Sequence, residues 1–144
     1  MAQTAIARTC GHSTIEQLYG PGAERTRKAA WLATQPCREC ARQAATVAAV
    51  KATADLPALT GSDKQVAWAT TIRAKLVADL KTFRAEVDAR AAKFPGPDAD
   101  EFLAVADKAI AAIESKTDAR FWIDNRTSWG EEMVKNEMRR MLGK

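Results

Sequence analysis

Four residues that could coordinate a metal ion occur as two short pairs near the N-terminus. Cys10 and His12 flank Gly11, and Cys37 and Cys40 form a Cys-x-x-Cys motif; together they use all three cysteines and the one histidine of the chain. Side chains at i and i+2 point to the same side of a strand or tight knuckle, and glycine lets the backbone turn closely between them. Three thiolates and one imidazole make a closed tetrahedral shell for Zn²⁺. The sequence therefore predicts a structural zinc site.

Two other interpretations of the Cys37–Cys40 pair remain open at this point. A Cys-x-x-Cys motif can be redox-active, but it then belongs in a βαβ setting that this sequence does not display. The cysteines could also be unrelated core residues, with His12 on the surface. A secreted disulfide framework would use an even number of cysteines, so a reducing cytoplasm is the expected compartment.

The residues around these pairs predict a hairpin and then helices. Partial alternation of apolar residues over 5–20 predicts a short β-hairpin that turns near residues 11–13. Helices are expected over residues 23–35 and about 40–55, and Pro36 ends the first because its ring cannot continue the hydrogen-bond ladder. The expected buried positions of the first helix are Ala29, Trp31 and Leu32.

A long helix is expected over about residues 63–92. Ser62 and Gln65 have the spacing of a capping box at its start. Apolar residues then recur at steps of three and four, namely Val66, Ala69, Ile72, Leu76, Leu80, Phe83 and Val87. A turn rich in proline and glycine follows at 94–97. The next helix has an expected buried face of Phe102, Val105, Ala109 and Ile113, and a last helical stretch begins near Ala119.

These elements predict a mainly α protein with two parts. The first is a small N-terminal zinc-ribbon or zinc-knuckle module with a short β-hairpin, and the second is an antiparallel helical bundle. The segment 56–61 is the candidate boundary, which gives domains 1–55 and 56–144. A membrane span is not expected because no run of about 18 apolar residues occurs. Residues 1–9 also lack the apolar run of a secretory signal.

Charge and residue types disfavour most classes of enzyme. Lys and Arg total 22 against 18 Asp and Glu, a net charge of +4 that is too small to establish nucleic-acid binding. The excess lies mainly in the first 55 residues, with seven basic and four acidic side chains. With His12 assigned to metal, no histidine remains as a general base, and no Gly-rich phosphate loop is present. Catalysis is therefore not expected.

Trp122, Asp124 and Arg126 form a candidate partner-binding surface. An aromatic ring beside arginines can stack on bases or anchor a protein interface. Packing between helices explains the same residues, since aromatic side chains at helical spacing more often belong to a core.

Three segments then occur in a recognisable order along most of the chain. They are Cys-Gly-His followed by Leu-Tyr-Gly at 18–20, Trp31 and the Cys-x-x-Cys pair; Leu-Thr-Gly-Ser-Asp-Lys-Gln-Val-Ala-Trp-Ala at 59–69; and Phe-Trp-Ile-Asp-Asn-Arg at 121–126. In these segments the chain resembles a family of small zinc-knuckle proteins of unknown function from bacterial phages and integrative mobile elements. It departs from them in the alanine-rich segment 41–54 and at residues 13–14, which replace an acidic residue after the histidine. Neither departure touches an expected metal ligand.

The resemblance implies the zinc site more directly than it implies an activity. Mobile elements often encode small proteins that block host defence, including anti-CRISPR inhibitors. By this analogy the chain is expected to act by macromolecular binding, with a host or element-encoded protein, such as a defence nuclease, as its partner. The alternative expectation is nucleic-acid binding through the basic, zinc-bearing N-terminal module.

Overall fold

A computed structural model of the chain describes residues 2–143 and contains two strands and six helices within that range. The elements are β1 (Ala2–Ala7), β2 (Ser13–Leu18), α1 (Gly22–Ala33), α2 (Arg38–Ala52), α3 (Asp63–Lys93), α4 (Pro97–Glu114), α5 (Ala119–Asp124) and α6 (Gly130–Met141). The prediction of a mainly α protein with an N-terminal hairpin is confirmed. None of the helices in this range is both long enough and apolar enough to cross a membrane.

Two compact units divide the described chain, and the first ends at Val47 while the second begins at Ala48. The sequence placed its boundary at residues 55 and 56 instead. The division into domains 1–55 and 56–144 stays a prediction.

The N-terminal unit is built on the antiparallel pairing of β1 with β2, in which Ile6 lies opposite Thr14. Ile6 and Leu18 are buried, and α1 contacts both strands. No residue of α1 is itself buried, and the indole of Trp31 is 58% exposed. The expectation that Trp31 is a core residue is therefore wrong. A two-stranded sheet can cover only one side of a helix, so the opposite side of α1 remains in solvent.

The second unit buries the apolar stripe of α3 against α4, α5 and α6. The capping box is present, with the Ser62 hydroxyl accepting from the Gln65 N–H and the Gln65 side chain accepting from the Ser62 N–H. Arg84 of α3 bonds Asp107 of α4, whereas Arg73 reaches the carbonyl of Glu114. Because residue numbers rise along one helix as they fall along the other, α3 and α4 are antiparallel.

Two details of this unit differ from the expectation. The last helical stretch is divided into α5 and α6, because side chains of Asn125 and Arg126 donate to the carbonyls of Phe121 and Ile123 and so end α5. Phe102 is 45% exposed and does not belong to the buried face of α4. It precedes the first fully buried position of that helix, Ala106, by one turn.

Arg73 is a buried cation on the core side of α3 that the apolar periodicity does not predict. Its guanidinium donates to the carbonyl oxygens of Pro57 at 2.7 Å and Glu114 at 2.8 Å. The same group lies 5.2 Å from the ring centre of Trp122. Burial lowers the pKa of Arg73, so these carbonyls and the ring face offset part of the cost of removing the charge from water.

Candidate metal centre

The two ligand pairs come from the hairpin turn and from the start of α2. Cys10 and His12 lie in the turn between β1 and β2, where Gly11 adopts a φ of 81° that favours glycine. The N–H of Arg8 donates to the carbonyl of His12 at 2.9 Å and closes the turn. Cys37 directly precedes α2, and Cys40 lies in its first turn. The chain thus presents one pair from a knuckle and the other from a helix N-terminus.

All four expected ligands converge on one point. The sulfur atoms of Cys10, Cys37 and Cys40 and a ring nitrogen of His12 lie within 4.8 Å of one another. The Nδ1 atom of His12 is 3.3 Å from Sγ of Cys40 and 3.6 Å from Sγ of Cys37. Ligand atoms around tetrahedral Zn²⁺ are separated by roughly 3.3–3.8 Å. The group could therefore hold an ion such as zinc after a contraction of its widest pair by about 1 Å.

Backbone groups already point at the sulfur atoms. The N–H of Cys37 donates to Sγ of Cys10 at 3.2 Å, and the N–H of Cys40 donates to Sγ of Cys37 at 3.4 Å. Hydrogen bonds from the N–H groups of Cys37 and His12 lower the pKa of Cys10 to about 6. Donors of this kind stabilise thiolates, which are the form that binds metal.

The pKa values of Cys40 and His12 are shifted in the opposite direction, towards the protonated forms. The hydrogen bond between Cys40 and Cys37, together with burial, raises the pKa of the Cys40 thiol to about 11. Hydrogen bonds with Cys10 and Cys37 raise the pKa of His12. A divalent cation would reverse both effects, because it favours thiolate and neutral imidazole.

A second set of contacts holds the hairpin turn close to the segment that carries Cys37. The N–H of Thr9 donates to the carbonyl of Gln35 at 3.3 Å. Arg8, which is 9% exposed, donates to the carbonyl of Leu32 at 3.0 Å and pairs with Glu16 at 2.5 Å. Arg8 therefore joins the hairpin to the end of α1, and its charge is matched by Glu16 rather than by the cluster.

The candidate partner-binding residues are not brought together on one surface. Trp122 is fully buried, and its Nε1–H donates to the carbonyl of Lys116 at 3.0 Å. The prediction that its indole meets a partner is wrong, because the ring is part of the buried core of the second unit. Asp124 and Arg126 are exposed, and Arg126 lies 6.0 Å from the ring centre of Trp68. A binding role for these two residues stays a prediction.

Large exposed apolar and aromatic side chains lie elsewhere, and none of them is among the candidate partner-binding residues. Ile15, Tyr19 and Trp31 of the N-terminal unit are 75%, 66% and 58% exposed, and Trp129 of the second unit is 74% exposed. Trp129 stands in a Thr-Ser-Trp-Gly segment between two helices. Because this segment interrupts the apolar pattern of the flanking helices, the sequence contained a reason to expect that the Trp129 ring lies outside the core.

Comparisons with protein-family models, with curated proteins and with solved structures found no match to this chain.

Proposed function

We propose that this chain is a zinc-binding accessory protein that acts by binding another protein. The observation that carries the proposal is the distribution of apolar residues in the N-terminal unit. Ile15, Tyr19 and Trp31 are exposed, while Ile6 and Leu18 are the large aliphatic residues that are buried there. Exposed aromatic and apolar side chains that have no role in a core are typical of protein interaction sites.

The metal has a structural role in this proposal. A unit of fewer than 50 residues rarely supplies enough core to fold without a staple. Three thiolates and one imidazole complete a tetrahedral shell and leave no open position for a substrate. Zinc would therefore hold the hairpin turn against the start of α2 and keep the exposed side chains in a fixed arrangement. No catalytic step is assigned to it.

The resemblance to phage and mobile-element proteins supports a biological setting for the partner. In that setting we propose a host or element-encoded protein, with a CRISPR nuclease or another defence nuclease as the candidate. A small protein that occludes a nuclease needs a rigid surface and no catalytic group, which suits the exposed side chains of Ile15, Tyr19 and Trp31.

Affinity purification from bacteria tests the binding of a protein. The tagged wild type is compared with a Tyr19→Ala/Trp31→Ala variant and with Trp68→Ala, which removes an exposed indole from the other unit. We expect a stoichiometric partner that the double variant loses and the Trp68→Ala control retains. If no protein co-purifies, or if both variants retain the same protein, the proposal is wrong.

Phage plating tests the nuclease as a separate question. Expression of the wild-type chain should raise the plating efficiency of a phage on a CRISPR-immune host, and the double variant should not. If the phage plates equally with and without the chain for every CRISPR type tested, the proposal of a CRISPR nuclease as partner is wrong. The purification then remains the test of whether the chain binds a protein.

Nucleic-acid binding is the second candidate, because two exposed cations lie about one turn before Trp31 on α1. Arg27 and Lys28 precede it by four and three positions on α1, both are exposed, and neither has an ion-pair partner within the described residues. An aromatic ring beside cations can stack on a base while the cations contact phosphates. Fluorescence anisotropy with labelled DNA and RNA should then show an affinity that falls steeply as the salt concentration rises. Arg27→Ala/Lys28→Ala should make this dependence of affinity on salt less steep. Absent or salt-insensitive binding removes this candidate.

A further inference from the structure

The exposed tryptophans of the second unit differ in the charges around them. Trp68 is 52% exposed, and its ring already has the guanidinium of Arg126 at 6.0 Å. Trp129 is 74% exposed, and within residues 2–143 no cation lies over its ring. This chain places an arginine over an indole twice, at Trp68 and at buried Trp122. The ring of Trp129 is left without such a partner.

Trp129 forms one wall of an acidic cleft between α3 and the start of α6. The cleft has a volume of about 310 Å³ and is lined by Asp79, Thr82, Phe83, Glu86, Trp129, Gly130 and Glu131. It therefore contains three carboxylates and no basic side chain among its lining residues. A volume of this size is at the lower end for ligand sites, which suits one side chain better than a large molecule.

Two of the three carboxylates are available to an incoming cation. Glu131 pairs with Lys135 at 2.6 Å, and the charge of Arg90 also acts on it. Asp79 and Glu86 have no ion-pair partner within the described part of the chain. Two free carboxylates beside an aromatic face match the planar guanidinium group, which stacks on aromatic rings and donates hydrogen bonds to carboxylates.

The backbone next to Trp129 is held in place by close packing. A Cβ atom on Gly130 would lie 2.8 Å from the carbonyl carbon of Asp79, so the start of α6 packs directly on the backbone of α3. The N–H of Met133 donates to the carbonyl of Trp129 at 3.1 Å. The backbone that carries the indole is thus held in place, which reduces the ordering cost of binding.

We propose that the cleft beside Trp129 binds an arginine side chain of a partner protein, with the guanidinium stacked on the indole and paired with Asp79 and Glu86. This inference rests on the proposed function, since it assumes a protein partner. Tryptophan and arginine are the residues most enriched at the energetic centres of protein interfaces. A polynucleotide is disfavoured at this cleft, because its phosphates would meet three carboxylates.

The test uses zinc-loaded full-length protein and a short blocked peptide with two arginines separated by glycine. The readout is the indole Nε1–H signal of each tryptophan by NMR, with Trp129 assigned from Trp129→Phe. We expect a saturable shift of the Trp129 signal, with a Kd on the order of 1 mM, and no shift at Trp68 or Trp122. A peptide with citrulline in place of arginine keeps the shape and loses the charge, so it should not shift the signal.

Matched variants distinguish binding at this cleft from a general attraction of the peptide to acidic side chains. Asp79→Asn/Glu86→Gln should weaken binding about fivefold. Asp98→Asn/Glu101→Gln removes the same charge from α4, beside the C-terminal end of α6, and should leave the Kd unchanged. Equal weakening by both variants, an equal shift with citrulline, or no shift at all overturns the inference. If the peptide fails these criteria while a co-purified partner is still lost by Tyr19→Ala/Trp31→Ala, the arginine site is wrong and the proposed function stands. A shift that meets these criteria supports the arginine site even if purification rejects the proposed function.

Discussion

Sγ of Cys40 lies 3.3 Å from Nδ1 of His12, although the two residues are 28 positions apart in the chain. The hairpin turn brings His12 to this point, and the first turn of α2 brings Cys40. A contact that does not involve the ligands, from the N–H of Thr9 to the carbonyl of Gln35, holds the hairpin turn close to the segment that leads into α2. The ligand positions are therefore consequences of how the hairpin, α1 and α2 follow one another.

Substitution of one cysteine should release the metal and unfold the N-terminal unit. We expect Cys37→Ser to lose zinc, because serine does not replace a thiolate ligand, and to lose the NMR signals of folded β1 and β2. The helix that begins at Asp63 should persist, since its core is formed with α4, α5 and α6. His12→Cys is the matched control, because four cysteines also make a tetrahedral zinc shell. One equivalent of zinc retained by Cys37→Ser would contradict the ligand assignment.

A glycine-to-alanine change at the start of α6 should destabilise the second unit. The added Cβ at Gly130 would lie 2.8 Å from the backbone of Asp79, so α6 must move away from α3. We expect a loss of about 1–3 kcal/mol in the free energy of unfolding. Gly22→Ala is the control, because its Cβ would meet no atom within 4 Å. Equal denaturation midpoints for the two variants would show that the close packing is absent.

Removal of the buried guanidinium of Arg73 should also cost stability. Arg73→Met keeps much of the apolar volume but leaves the carbonyls of Pro57 and Glu114 without their donor. The expected loss is about 2–4 kcal/mol by chemical denaturation. Lys75→Met, an exposed position on the same helix, should change the unfolding free energy by less than about 0.5 kcal/mol. A stabilised Arg73→Met would mean that desolvation of the cation outweighs its hydrogen bonds.

The ion pair between Arg84 and Asp107 gives the second unit a defined dependence on pH. The hydrogen bond from Arg84 lowers the pKa of Asp107 below the usual value of 3.8. A carboxyl whose pKa is lower in the folded state stabilises the fold above its unfolded pKa, and that contribution is lost as pH falls through the folded pKa. Asp107→Asn should therefore lower the melting temperature at pH 7 and have little effect near pH 2.

The control for this pH dependence is Asp124→Asn, an exposed residue without an ion pair among those described. It should leave the melting temperature unchanged at both values of pH. An Asp107→Asn variant with the same melting temperature as the wild type at neutral pH would rule out a stabilising pair.

The features that the sequence predicted correctly are those that depend on residues close together in the chain. The hairpin turn at Gly11, the capping box at Ser62 and the stripe of α3 all depend on spacing within one element, and each is present. The convergence of the four ligands also followed, because each pair is local and two pairs suit one ion. In contrast, the burial of Trp122 and Arg73 depends on how α3, α4 and α5 meet, which spacing within one helix does not reveal.

The exposure of Trp31 and Trp129 was missed for the same reason. A helix shows from its sequence which residues share a side, but not whether a second element covers that side. Trp31 shares α1 with the positions that contact the hairpin, yet no element of the N-terminal unit covers it. Trp129 precedes a helix whose start packs through Gly130 instead of the indole.

The central claim is that Cys10, His12, Cys37 and Cys40 hold one structural zinc ion, and native mass spectrometry tests it most directly. Freshly purified protein is measured with and without a strong chelator. We expect one bound zinc, and its removal should produce the higher charge states of an unfolded N-terminal unit. A compact, metal-free protein with three free thiols would contradict the claim and return the Cys37–Cys40 pair to its redox interpretation.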